Sequence, residues 1–283
     1  MTAATNRVAL VTGASSGIGE ATARQLIAAG WRVYAGARRV DRMQPLAAAG
    51  SRLLALDVTD DASMQQAIDT IRRDEGRLDA LVNNAGYGSY GALEEVPLDE
   101  GRRQFEVNVF GLARLTQLSL PMMRAQRSGR IVNITSIGGK IGEPFGSWYH
   151  ATKFAVEGLS DSLRMELYPF GIDVVIIEPG AIKTEWNGIA RDGLMKYSGD
   201  GPYREGAREH VKMLASADQG PMPSPPEVVA RAIVRALQAA RPKTRYATGG
   251  GAQMVLLLRR MLSDRAFDAT MRLFSKQAAR SMP

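Results

Sequence analysis

The chain has 283 residues, is 45% hydrophobic and lacks cysteine, which allows one large core or two small ones and excludes disulfides and thiolate metal sites. Its two histidines, His150 and His210, are too few for a histidine-based metal centre and leave a serine–histidine triad improbable. The net charge of +7 is concentrated: residues 241–283 carry nine Lys/Arg against two Asp/Glu, and the first 240 residues balance at 27 of each sign.

No long apolar run precedes the first strand, so no secretory signal is visible. No segment approaches the roughly 20 apolar residues of a spanning helix. A soluble, cytoplasmic protein is expected, with its basic excess confined to a tail and no nucleic-acid partner implied. That tail carries Met254-Val255-Leu256-Leu257-Leu258, then Phe267, Met271 and Phe274 at helical spacing. Packing of this helical tail, residues 250–283, on its own domain is preferred over contact with an anionic membrane surface or an acidic partner.

In chain order, residues 8–11 read as a short strand buried on both faces. A Gly-rich turn follows, then a helix over 21–29 that Gly30 terminates. Residues 31–36 and 53–56 supply the second and third strands. An amphipathic stretch with Met64, Ala67, Ile68 and Ile71 on one stripe precedes a fourth strand at 78–82. Helices around 104–124 and 149–168 flank a fifth strand at 130–134, and 173–178 is a sixth. Pro221-Met-Pro-Ser-Pro-Pro226 leads into a helix through Leu237, and residues 245–248 add a seventh strand.

Such alternation forces parallel strands with right-handed crossovers. The expected fold is therefore α/β: a doubly wound parallel sheet of about seven strands with helices on both faces, the Rossmann arrangement. One domain over 1–283 is expected, with 185–225 as a less regular, substrate-binding excursion. Ligands of such sheets bind beyond the carboxyl ends of the strands, where every motif below falls.

Thr12-Gly13-Ala14-Ser15-Ser16-Gly17-Ile18-Gly19 lies directly after strand one and opens a helix. Gly13 makes the tight turn, Gly17 lets the backbone approach a phosphate, and Gly19 allows helix and strand to pack closely. Ser15, Ser16 and Ile18 complete this pyrophosphate cradle. An acidic residue ending strand two would bond the adenosine ribose and repel a 2′-phosphate. Ala37-Arg38-Arg39 stands there instead, so NADP(H) is preferred over NAD(H), with Arg38 as the reader and Arg39 as a candidate surface charge. Asp57, beside Val58, is placed to accept from the adenine amino group. Asn83-Asn84-Ala85-Gly86 offers backbone and amide groups along the same edge.

A carbonyl that accepts hydride needs a proton donor as charge builds on its oxygen. Tyrosine donates, and a neighbouring ammonium favours its phenolate for the reverse direction. Tyr149 and Lys153, four apart on a helix, share a face. Ser136, just after strand five, can bond the substrate oxygen. Asn108, polar among apolar neighbours, is fit to bind a water. His150 points to another face and reads as structural, and no metal site is expected.

As a set, TGASSGIG at 12–19, Asp57, NNAG at 83–86, Asn108, Ser136, YHATK at 149–153 and Pro179-Gly180 with Thr184 closely resemble the short-chain dehydrogenase/reductase family. The resemblance implies Tyr149 as general acid/base and Lys153 as the group that lowers its pKa while binding the nicotinamide ribose. It implies that Ser136 orients the substrate oxygen and that Asn108 holds a water in a proton relay from Lys153. It places Pro179, Gly180, Ile182 and Thr184 around the nicotinamide, and implies a homodimer or homotetramer built on the helices carrying Asn108 and Tyr149.

Residues 136–145 are similar to the branch of 17β-hydroxysteroid and retinol dehydrogenases, which handle bulky apolar alcohols and ketones. Lys140 and Glu143 put charges in that segment, which argues against a steroid unless the pair faces solvent at the pocket rim. The substrate wall is expected from residues 143–148 and from Trp186, Met195, Tyr197 and Met213. The expected activity is NADP(H)-dependent interconversion of a secondary or primary alcohol and a ketone or aldehyde of apolar character. The alternative is a non-catalytic NADP(H)-binding sensor or scaffold, against which the complete Ser/Tyr/Lys/Asn set argues.

Overall fold

The computed structural model describes residues 7–219 and 223–280, the side chains of 216–219 and 274–280 excepted. β1 (Val8–Thr12) is buried along its whole length because helices cover both faces of the sheet it centres. The Gly-rich turn leads into α1 (Gly17–Ala28), and Gly30, at φ +81°, turns the chain back into β2 (Arg32–Ala37). The short α2 (Gln44–Ala48) precedes β3 (Arg52–Ala55). α3 (Asp61–Glu75) begins where the Asp60 carboxylate accepts from the Ala62 N–H, a cap worth about 1 kcal/mol, and ends at Gly76 in the left-handed region.

β4 (Ala80–Asn83) starts two residues later than the apolar pattern suggests. The Leu78 N–H is taken by the Gln126 side-chain oxygen rather than by a neighbouring strand. The helix expected around 104–124 is three pieces: α4 (Leu98–Phe105), a widened π turn (Glu106–Gly111) and α5 (Leu112–Gln126). β5 (Gly129–Ile134), α6 (Ser147–Leu167) and β6 (Ile172–Pro179) follow.

The excursion after β6 is more regular than expected. It forms α7 (Trp186–Ser198) and α8 (Arg204–Gln219), which pack on each other. Gly188, Gly193 and the Ser198-Gly199-Asp200-Gly201 break dilute the helical signal. Yet Ala207, His210, Val211 and Leu214 form an inward stripe at 3.6-residue spacing. α9 (Pro226–Gln238) and β7 (Arg245–Thr248) come next, followed by α10 (Ala252–Met261) and α11 (Asp264–Arg280). α11 packs along α8, with Phe267 buried between them and the cleft; the Phe274 side chain lies outside the described residues.

All seven strands are parallel, in the order β3-β2-β1-β4-β5-β6-β7. The two-residue alternation of β1 sends Ala9 and Val11 toward α1, α2 and α9, and Val8 and Leu10 toward α3 and α5 on the other face. Strand order reverses between β1 and β4, which opens a crevice at their carboxyl ends. Among the described residues no helix is long and apolar enough to cross a membrane.

Candidate active site

A cleft of about 1100 Å³ runs along those carboxyl ends. Every residue named above for catalysis or cofactor binding lines it except Gly19 and Asn108, which sit against the lining residues Gly13 and Gly86, and Asn83, whose amide donates to Thr116 and Asn133 inside the fold.

The Gly-rich turn is shaped by collisions that side chains would cause. Gly13 and Gly17 hold φ +65° and +56°, the left-handed region that glycine enters freely. A Cβ on Gly13 would lie 2.9 Å from Ala85 Cα, and one on Gly19 would strike the Gly13 carbonyl. Thr12 stitches the turn to β4: its hydroxyl accepts from the N–H groups of Asn84 (3.0 Å) and Ala85 (2.9 Å). The Asn84 amide donates back to the Thr12 carbonyl at 2.9 Å, so this side chain locks the turn. Its backbone and those of Ala85 and Gly86 line the cleft.

At the end of β2, Arg38 and Arg39 diverge. Arg39, read from the sequence as a surface charge, reaches the turn and donates to the hydroxyls of Ser15 and Ser16, each at 3.3 Å. It also donates to Glu185 at 3.2 Å, and Arg42 bonds the same carboxylate. Nothing in the sequence pattern distinguishes two adjacent exposed arginines. Arg38 lies near Asp57. Burial raises the Asp57 pKa, but bonds from the Thr59 N–H and hydroxyl, with Arg38 and Arg103 nearby, bring it below the ordinary carboxylate value.

The four polar groups expected at the reacting end come together around the start of α6. Tyr149 is buried and bonded through its hydroxyl to Ser136, and the Ser136 oxygen accepts from the Gly138 N–H at 3.0 Å. Burial pushes the Tyr149 phenol up to about 12; the Ser136 bond pulls it down and Glu143 pushes it further up. Lys153 lies with its ammonium 5.8 Å from the centre of the Tyr149 ring and donates to the Ile134 carbonyl at 3.0 Å. Burial draws it down to about 8, opposed by Glu157. Asn108 sits in the π turn, an irregularity that shifts one backbone bond and marks many functional helices. Its side chain accepts from the Tyr87 N–H (3.1 Å) and donates to the Tyr87 carbonyl (2.9 Å) and the Thr152 hydroxyl (3.1 Å).

His150 is fixed in one neutral tautomer: Nδ1–H donates to the Gly138 carbonyl at 2.9 Å, and Nε2 accepts from the Glu143 N–H at 3.1 Å. The two charges of the 136–145 segment separate. Lys140 turns away to Glu157, 2.7 Å distant, whereas Glu143 lines the cleft. Of the expected substrate wall, Trp186, Tyr197 and Met213 are in place. Trp148 packs instead edge-on against Phe105 at 6.3 Å, and Met195 is 39% exposed on the outer side of α7. The sequence reading missed Met254, Leu258, Phe267 and Met271, through which α10 and α11 close the cleft. Their helical spacing was visible; the surface they would face was not.

The short chain dehydrogenase family model matches residues 7–194, and the chain belongs to that family of oxidoreductases. It is 43% identical over 179 residues to the 3-ketodihydrosphingosine reductase of Bacteroides thetaiotaomicron, spanning 63% of this chain and 65% of that enzyme. It is 34% identical over 276 residues to an NADPH-dependent 3-dehydrocapnine reductase of Ornithobacterium rhinotracheale, spanning 93% of this chain and 95% of that one. A short-chain dehydrogenase from Streptomyces avermitilis superimposes with a TM-score of 0.79 at 38% identity, over 98% of each chain.

Proposed function

We propose that the protein is an NADP(H)-dependent reductase of apolar ketones, with Tyr149 as general acid. The observation that carries this is one continuous cleft. The glycine turn and paired arginines stand at one end, and a buried Tyr149–Ser136–Lys153 cluster at the other. The NADPH-dependent relative supports the same cofactor here.

The residues fit a dinucleotide phosphate. Gly13, Gly17 and Gly19 leave backbone bare for a pyrophosphate, Ser15 and Ser16 add hydroxyls, and Arg38 and Arg39 supply cations for a 2′-phosphate at the end of β2, where Glu185 is the carboxylate that competes for Arg39. Asp57 would accept from the adenine amino group, and Val58, Ile18, Pro179, Gly180, Ile182 and Thr184 would flank the cofactor's rings. Bound there, the cofactor supplies hydride. Lys153 holds the nicotinamide ribose and its charge favours phenolate character on Tyr149 as the proton leaves. Tyr149, at about 12, is protonated at neutral pH and donates to the substrate oxygen that Ser136 orients. A water at the π turn around Asn108 would carry a proton from solvent by way of Lys153 to restore the Tyr149 phenol.

A single domain places the excursion helices and the tail over the substrate. Exposed Phe110, in the π turn with Asn108, and Phe154, on α6 with Tyr149, suit a homodimer or homotetramer interface. The test is NADPH consumption with a panel of medium- and long-chain ketones. Turnover of none of them, alongside tight NADPH binding, would favour the sensor reading instead.

A further inference from the structure

Glu143 is a carboxylate set among aromatic rings at the reacting end of the cleft. Tyr90, Tyr149 and Trp186 surround one another there. Tyr90 lies 5.8 Å from Tyr149 and 5.7 Å edge-on from Trp186, and Tyr149 lies 5.0 Å from Trp186, centroid to centroid. All three rings and Glu143 line the cleft. The Tyr90 hydroxyl bonds the Glu143 carboxylate; burial raises the Tyr90 phenol well above its usual value and Glu143 adds to that.

Among the described residues nothing supplies this carboxylate with a cation. Lys140, three residues earlier, is held by Glu157. His150 is engaged at both ring nitrogens, Nδ1 with the Gly138 carbonyl and Nε2 with the backbone N–H of Glu143 rather than with its carboxylate. His210, stacked on Tyr90 at 5.8 Å, has its pKa lowered by burial, which outweighs the pull of Glu143, and makes no ion pair with it. Placed beside Tyr149, Glu143 also opposes the formation of phenolate. A negative charge that opposes the chemistry is relieved by a positive charge on the substrate. Carboxylate plus aromatic faces is the chemistry that recognises an ammonium.

We propose that Glu143, with the rings of Tyr90, Tyr149 and Trp186, forms a subsite for an ammonium group beside the reacting carbonyl, so that long-chain α-amino ketones are the preferred substrates. The subsite deepens the ketone-reductase reading and rests on it. The alkyl chain runs from this subsite between Met213 on α8 and the α10–α11 wall. Glu143 is here a specificity residue; the proton still comes from Tyr149.

The test compares kcat/KM for 3-ketodihydrosphingosine, which carries an amino group next to its ketone, and octadecan-3-one in identical mixed micelles with NADPH. The wild type is expected to prefer the amino ketone by at least about tenfold, and Glu143→Gln and Glu143→Leu to reduce that ratio at least about tenfold. A wild-type ratio near one, or a ratio that survives Glu143→Gln, overturns the subsite. Calorimetric binding of dodecylamine against dodecanol to the full chain needs no turnover. Wild type should favour the amine about tenfold and Glu143→Gln should abolish the difference. Equal binding by the wild type overturns the subsite too. Amine-selective binding without reduction of either ketone would leave the subsite standing and remove the reductase reading.

Discussion

Arg39 donates to Glu185 across the mouth of the cofactor cleft, 3.2 Å from nitrogen to oxygen, joining the end of β2 to the segment between β6 and α7. Arg42 holds the same carboxylate from η-nitrogens on the neighbouring turn. Both arginines and Glu185 are roughly half exposed, so the pairs themselves contribute little to stability. On the proposed cofactor reading their consequence is competition, because a 2′-phosphate approaching Arg39 would share it with Glu185.

Glu185→Gln should therefore tighten NADPH binding about two- to fivefold and leave NADH binding nearly unchanged. Arg38→Asp should do the reverse, weakening NADPH far more than NADH. Fluorescence titration of both cofactors reads both effects. An NADPH affinity indifferent to Glu185→Gln would mean that Arg39 does not meet the phosphate.

Tyr149→Phe keeps the ring that packs on Tyr90 and Trp186 and removes only the hydroxyl bonded to Ser136. The variant should fold and bind NADPH as before while kcat falls by about 10²–10⁴. Stopped-flow single turnovers separate that loss from any change in binding. Wild-type-like turnover would take Tyr149 out of the mechanism.

The acidities of Tyr149 and Lys153 set a pH profile. On the proposed mechanism, reduction uses a protonated phenol and a charged ammonium. Tyr149, at about 12, keeps its proton throughout the neutral range, whereas Lys153, at about 8, loses its charge first. kcat/KM for reduction should be flat at lower pH and descend as pH rises through about 8. The depressed Lys153 pKa also ties folding to pH. Between about 8 and 10.5 the unfolded chain binds the extra proton, so this group makes the fold more stable as pH rises through that window. A reduction rate still flat at pH 9.5 would show that the ammonium is not needed.

Glu157, only 4% exposed, is a hub. Its carboxylate accepts from the Thr135 hydroxyl at 2.7 Å, Lys140 at 2.7 Å and Arg245 at 3.0 Å, tying β5, α6 and β7 together. Glu157→Ala leaves two cations partly buried without their shared partner and should cost about 3–5 kcal/mol in urea unfolding. A loss below about 1 kcal/mol would mean that solvent replaces the carboxylate easily.

Much of the sheet was legible because strands covered on both faces must be continuously apolar, as Val8–Thr12 is. The glycine turn was legible because its conformation and its close contacts admit little else at Gly13 and Gly19. What escaped was set by tertiary partners. The π turn at Asn108 is a change of hydrogen-bond register with no compositional mark. Arg39 and Arg38 are chemically alike and differ only in what stands across the cleft. Glu143 and Lys140 share a short segment, and only the fold shows that one faces the cleft and the other Glu157.

The far wall of the cleft carries a division of labour. Met213, Met254, Phe267 and Met271 all lie beyond residue 194, where the match to the family model stops, while the glycine turn, Ser136, Tyr149 and Lys153 all lie before it. Much of the apolar wall is thus written in a later stretch of the polypeptide than the polar groups at the reacting end, with Glu143, Tyr90 and Trp186 standing before the boundary. Exchanging α8, α10 and α11 together for those of another member is the economical route to a remodelled apolar wall that leaves Ser136, Glu143, Tyr149 and Lys153 untouched.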